Sequence, residues 1–184
     1  SGATVRAANG ATLRLRDGSI TAGGLQVDAG GTLSGQGILN TDLVNLGTVL
    51  ADSPGSIRIN GTITNSGTMR MLGGTIASTG PFINNGLLDI INGPQTLPAN
   101  FQNNGTVLDS SSVRIQSVAI AGSNIVLTVP SVAGHRYQLQ RSESLTGAWQ
   151  DVGTPQAGSG ANLQFTDPGG AGAAKRFYRV QVTP

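Results

Sequence analysis

One interval governs this chain. Asn, any residue, Gly, then Thr or an aliphatic residue recurs as Asn45-Leu-Gly47-Thr-Val, Asn65-Ser-Gly67-Thr-Met, Asn84-Asn-Gly86-Leu-Leu and Asn103-Asn-Gly105-Thr-Val, with the glycines 20, 19 and 19 residues apart. Weaker copies come first, at Gly10-Ala-Thr-Leu13 and Gly31-Thr-Leu33, 21 and then 16 residues from the next. Asn-Gly also marks hairpins, so an antiparallel meander is the competing reading. Hairpins need no constant interval, whereas successive coils of one helix do.

Within the period lies a second element, an apolar, polar, apolar triplet closed by a turn. It occurs as Leu13-Arg-Leu15, Leu25-Gln-Val27, Ile57-Arg-Ile59, Met69-Arg-Met71 and Leu88-Asp-Ile90. Period-two alternation puts the aliphatics on one face and Arg, Gln or Asp, including Asp89, on the other. Such short strands are unstable alone, and about 19 residues is too short for a strand-helix-strand crossover. It suits one coil of a β-solenoid, with three short strands per rung and rungs stacked at about 4.8 Å. Five to six rungs fit residues 1–112. The repeated asparagines Asn45, Asn65, Asn84 and Asn103 then share a corner and are predicted to hydrogen-bond along the axis as a ladder. The repeat glycines Gly31, Gly47, Gly67, Gly86 and Gly105 are predicted to supply a positive φ at that corner.

Composition agrees with an all-β fold. The 184 residues include 28 Gly and 13 Asn but a single Glu and a single Lys, with charged residues at 11%, under half the usual share of about 25%. Good helix formers are scarce. The net charge is only +2, and Arg14, Arg16, Arg58, Arg70 and Arg114 are scattered singly, without the basic stripe that nucleic acid requires. No apolar run approaches the roughly 20 residues of a membrane span. With no cysteine, packing and backbone pairing hold the fold.

Residues 23–76 resemble the autotransporter-associated repeat of bacterial secreted and surface proteins. The resemblance lies in Gly30-Gly-Thr-Leu-Ser-Gly35-Gln-Gly37-Ile-Leu, Val44-Asn-Leu-Gly-Thr-Val49 and Ser53-Pro54-Gly55-Ser-Ile-Arg-Ile-Asn60-Gly61. It implies a right-handed parallel β-helix acting as a secreted or cell-surface scaffold, and it names no catalytic residue. One departure is Asp52-Ser53, which stands where a longer apolar approach to Pro54 is common.

Near Asp109 the repeat fades. Ile125-Val-Leu127-Thr-Val129, Tyr137-Gln-Leu139-Gln-Arg141, Leu163-Gln-Phe165 and Tyr178-Arg-Val180-Gln-Val182 alternate between turns, which predicts a small antiparallel β-sandwich over residues 113–184. Five of the seven aromatics fall here. The pattern Tyr137-Gln-Leu-Gln-Arg-Ser142, Trp149, Asp167 and Phe177-Tyr-Arg-Val180 resembles the small fibronectin-like C-terminal modules of secreted bacterial proteins, which implies a spacer or attachment role.

Chemistry is sparse. The single histidine, His135, is predicted to be exposed in a turn, and no nucleophile-elbow pattern accompanies it. One His and no Cys leave no usual zinc set, and no Asp-rich calcium loop is present, so no metal or other cofactor is expected. Asp89 and Asp109 follow their repeat glycines by three and four residues, which predicts that they face differently and do not pair as glycosidase acids do. Trp149 and Tyr137 could stack on a surface polysaccharide, but core packing is the favoured role, since the module has few other large residues. The expectation is a non-enzymatic extracellular structural or adhesive scaffold at the bacterial cell surface. The alternative is a carbohydrate-binding or polysaccharide-processing fragment. Repeat-like sequence runs up to Ala3-Thr-Val5 without an amphipathic cap, so either more chain precedes Ser1 or a second subunit stacks there. The latter implies a head-to-tail homo-oligomer, open-ended and fibre-forming, in which the first rung meets a neighbour's C-terminal module or last rung.

Overall fold

The computed structural model describes residues 2–52, 54–93 and 96–183; Ser53 of the Pro-Gly motif lies outside them. The chain forms two compact units, 1–110 and 111–184.

The first unit is a parallel β-solenoid of five coils and the start of a sixth. Coil one carries β1 (Thr4–Ala7) and β2 (Thr12–Thr21), and coil two β3 (Gly24–Val27) and β4 (Thr32–Asn40). Coil three carries β5 (Leu43–Asn45), β6 (Thr48–Asp52) and β7 (Ser56–Ile59), and coil four β8 (Ile63–Asn65), β9 (Thr68–Leu72) and β10 (Thr75–Ser78). Coil five carries β11 (Phe82–Asn84) and β12 (Leu87–Asp89); β13 (Phe101–Asn103) and β14 (Thr106–Leu108) begin the sixth. Every strand-to-strand pairing in the unit is parallel. The first face stacks β1-β3-β5-β8-β11-β13. The second runs from the front halves of β2 and β4 through β6, β9, β12 and β14. The back halves of β2 and β4 with β7 and β10 make the third.

The aliphatic triplets therefore belong to all three faces, and each points inward. Leu25, Val27, Ile57, Ile59, Met69, Leu88 and Ile90 are at most 1% exposed. Register places like over like. Val5, Leu25, Leu43, Ile63, Phe82 and Phe101 form one column, closed by an edge-to-face contact of Phe82 on Phe101 at 5.2 Å. Each fully buried Leu or Ile contributes about 1.5–3 kcal/mol. Axial stacking makes that burial available to strands of three residues.

The uneven early spacing has a structural cause. In coils one and two the corner after the first face holds four residues, 8–11 and 28–31, and turns through Gly10 and Gly30 at φ 75° and 78°. From coil three onward the same corner holds two residues, as at Leu46-Gly47. The corner loses two residues, β4 lacks the bulged residue of β2, and the path from β4 to β5 is one residue shorter, so the interval falls from 20 between Thr12 and Thr32 to 16 between Thr32 and Thr48.

The expected reason for the repeat glycines is corrected. None of Gly31, Gly47, Gly67, Gly86 and Gly105 has a positive φ. What excludes a side chain is the coil below. A Cβ at Gly67, Gly86 or Gly105 would sit 2.2 Å from the carbonyl oxygen of Gly47, Gly67 or Gly86 respectively. Gly31 and Gly47 meet backbone carbonyls equally closely, those of Ala7 and Asp28 at 2.2 and 2.3 Å. Only glycine lets the corner backbone stack at the spacing of the sheets.

The second unit has two three-stranded antiparallel sheets. Its strands are β15 (Ser117–Ala121), β16 (Asn124–Pro130), β17 (Arg136–Ser142), β18 (Gln150–Ala157), β19 (Asn162–Asp167) and β20 (Phe177–Thr183), ordered β15-β16-β19 and β18-β17-β20. Leu127, Val129, Tyr137, Leu139, Val152 and Phe165 form the core between them. The only helical segments among the described residues are single 3-10 turns at Ser110–Ser112 and Gly170–Gly172.

Candidate functional site

The most ordered polar feature is the column of asparagines at the first corner. Asn45 Nδ2 donates to Asn65 Oδ1, Asn65 Nδ2 to Asn84 Oδ1 and Asn84 Nδ2 to Asn103 Oδ1, each at 2.7 Å. The same amides also donate to the carbonyls of Thr68, Leu87 and Thr106 at 3.0–3.1 Å. Asn45, Asn65 and Asn84 are fully buried, and Asn103 at the end is exposed. In coils one and two the column is occupied by Ala7 and Val27. The ladder thus begins where the corner shortens.

A second, shorter ladder was not read from the sequence. Asn60 Nδ2 donates to Asn40 Oδ1 at 2.8 Å, and Asn40 Nδ2 to Thr21 Oγ1 at 3.3 Å. Its only sequence signal is the 20-residue spacing of Asn40 and Asn60, without a following x-Gly to mark it.

Among the described residues, the strands at the ends of the stacks pair on one side only. β1 and β2 pair only upward, with β3 and β4, and β13 and β14 only downward, with β11 and β12. Each strand therefore offers a row of backbone donors and acceptors that no other described strand uses. No family model, curated protein or solved structure matches the chain.

The acids and clefts are arranged otherwise than the sequence suggests. Asp89 was placed on the outer side of its strand, yet it is 1% exposed, with Arg70 of the preceding coil at 3.4 Å and the Ile91 amide donating to its Oδ1. Alternation fixes the side of the strand and not what lies over it. Asp17 and Asp52 line one open cleft of about 450 Å³ with Arg14, Arg16 and Gln36. Asp17, at φ 58°, accepts from Gln36 there. Among the described residues no group of three or more His, Cys, Asp or Glu side chains comes together. No helix among them is long and apolar enough to cross a membrane.

In the sandwich, one expectation is corrected and the two aromatic candidates divide. His135 is 1% exposed, not an open turn residue; its carbonyl accepts from the Gly158 amide at 2.8 Å, next to the Arg136–Ala157 pair of β17 and β18. Tyr137 is also 1% exposed and its hydroxyl accepts from the Val132 amide at 2.8 Å, so it serves the core and offers no stacking surface. Trp149 is half-buried outside that core, with the Arg179 guanidinium 4.4 Å from its ring centre. Arg179 also donates to Gln140, which donates to Asp151.

The strongest electrostatic site is Asp167, fully buried at the end of β19. Arg141 and Arg176 each approach it at 2.5 Å, and the Tyr178 hydroxyl donates to it at 2.8 Å. One carboxylate thereby ties β19 to β17 and β20 across the two sheets. Burial by itself favours the neutral acid, but the bonds from Tyr178, Arg176 and Arg141 outweigh it and hold the carboxyl below the usual range. A carboxyl with a lower pKa folded than unfolded adds stability above its unfolded value and loses it as pH falls through the folded one. The sandwich should hold its melting temperature down to about pH 4 and lose it below. Asp167→Asn is expected to cost about 2 kcal/mol at neutral pH and to flatten the acid loss. Thermal melts across that range check both; an unchanged acid limb would show that Asp167 contributes little.

Proposed function

We propose that this protein is an extracellular structural or adhesive scaffold of a bacterial secreted or cell-surface protein, acting through self-association and not through catalysis. Its likeness to the autotransporter-associated repeat supports the scaffold reading. Gly35 and Gly37 of that motif lie at the corner between the second and third faces, at φ 93° and 153°, where β4 bends from one to the other. A stack of short parallel strands, each rung held by the next, is stiff along its axis and presents repeated side chains in rows. The likeness of residues 113–184 to fibronectin-like modules adds a spacer or attachment element.

The observation that carries the proposal is the rung formed by β1 and β2, whose strands pair on one side only among the described residues. Docked on a second copy's last rung or C-terminal module, it gives a head-to-tail contact that does not close, so units add without limit. Negative-stain images and size-exclusion chromatography of the intact chain test this. Particles that lengthen with concentration are expected. A single species of fixed mass at every concentration would overturn head-to-tail assembly.

A further inference from the structure

The sandwich is open along one flank. Gln156 Nε2 of β18 donates to the Gln164 carbonyl of β19 at 2.9 Å, so β18 and β19 share one flank. The strand orders then put β15 and β20 together on the other. Every residue of β15 is exposed. Register sets Val118 against Leu127 and Ile120 against Ile125, so both side chains point to the core side of their sheet. They are nevertheless 58% and 71% exposed.

Edge strands of solitary sheets are usually protected by charge, proline or a bulge. β18 has all three: Asp151, Pro155 and a register break opposite Tyr137–Leu139. β15 has none of them. No charged residue and no proline occurs from Gln116 to Asn124, and its pairing with β16 is unbroken.

We propose that β15 is a homodimerisation edge, at which β15 of a second copy pairs antiparallel about a two-fold axis through Ala119. The strand is self-complementary in that register. Val118 comes opposite the second copy's Ile120 and Ile120 opposite its Val118, so four branched side chains close over one another on the core side. Ser117, Ala119 and Ala121, all small, fill the other face. A two-fold contact sets every residue near its own counterpart, so any charge would meet its like; this stretch carries none. The product is one continuous sheet of three strands from each copy. It is a closed pair, independent of the open-ended rung contact.

Single cysteines test the register, since the chain has no cysteine of its own. With Ala119→Cys the two Cα atoms lie about 4.5–5.5 Å apart, within disulfide reach. With Ser117→Cys they lie about 13 Å apart, four residues along the strand. Mild oxidation should convert Ala119→Cys mainly to covalent dimer and leave Ser117→Cys monomeric on a non-reducing gel. Ile120→Lys should weaken the dimer roughly tenfold or more in sedimentation equilibrium, with an unchanged thermal melt because the side chain is exposed. Equal cross-linking by the two cysteine variants would overturn the proposal, as would a dimer indifferent to Ile120→Lys. A wild-type chain that never pairs would assign the edge to another partner strand and overturn it too. Length-dependent particles without cross-linking at position 119 would leave the rung contact standing and remove this one.

Discussion

Gly86→Ala is expected to destabilise the solenoid by about 4 kcal/mol or more, at the exceptional end for a single methyl group. The added Cβ would lie 2.2 Å from the Gly67 carbonyl oxygen and 2.8 Å from the Ser66 carbonyl carbon. Both are backbone atoms, so no side chain can rotate away. The coils must part instead. Parting them strains the bonds from Gly86 and Leu87 amides to the carbonyls of Asn65 and Gly67 below, and from the Thr106 amide to the Gly86 carbonyl above. Thermal denaturation should show a fall of roughly 15 °C. Gly18→Ala is the control, because nothing lies within 4 Å of a Cβ there and its φ is not positive. A Gly86→Ala melt within about 1 kcal/mol of that control would refute the close-approach explanation of the glycine column.

Asn65→Ala is expected to cost about 3 kcal/mol. Three buried or half-buried groups lose a partner together: Asn45 Nδ2, Asn84 Oδ1 and the Leu87 carbonyl. Each such loss costs on the order of 1–3 kcal/mol where water cannot replace the bond, and the small void left by the amide adds to it. Asn104→Ala removes an exposed bond to Asn85 and should change stability by less than about 0.5 kcal/mol. Chemical denaturation of the two variants separates an interior ladder from a decorative one. Equal midpoints would show that the column does not hold the coils together.

Both variants act on the features that made the fold readable. An axial column demands one residue type at one place in every coil, so Asn45, Asn65, Asn84 and Asn103 leave a period in the sequence, and so do the glycines two residues on. The aliphatic triplets were legible for the same reason, since period two reports burial directly. Contacts between residues with no fixed spacing left no such trace. Asp167 meets Arg141 from one segment and Arg176 and Tyr178 from another, and neither alternation nor interval links either segment to it. β15 and β18 were not predicted as strands: the first buries nothing, and the second alternates poorly around Gly153 and Pro155. His135 reads as an exposed turn residue because Gly134 precedes it and the alternating run starts only at Tyr137, so its burial leaves no mark on the local pattern. The reason for glycine at the corner was misassigned because the excluding atom belongs to the neighbouring coil, about 19 residues away in sequence.

The asparagine row also has a sense. Every carboxamide from Asn45 to Asn84 hands its proton toward the later coil, so no member can flip without turning all the others, much as teeth of a zip face one way. The slider sits at Asn103, whose amide is exposed and turns back to the Gly105 carbonyl. Unravelling of this column is therefore expected to start at its exposed C-terminal end and to proceed inward, one tooth at a time, toward Asn45.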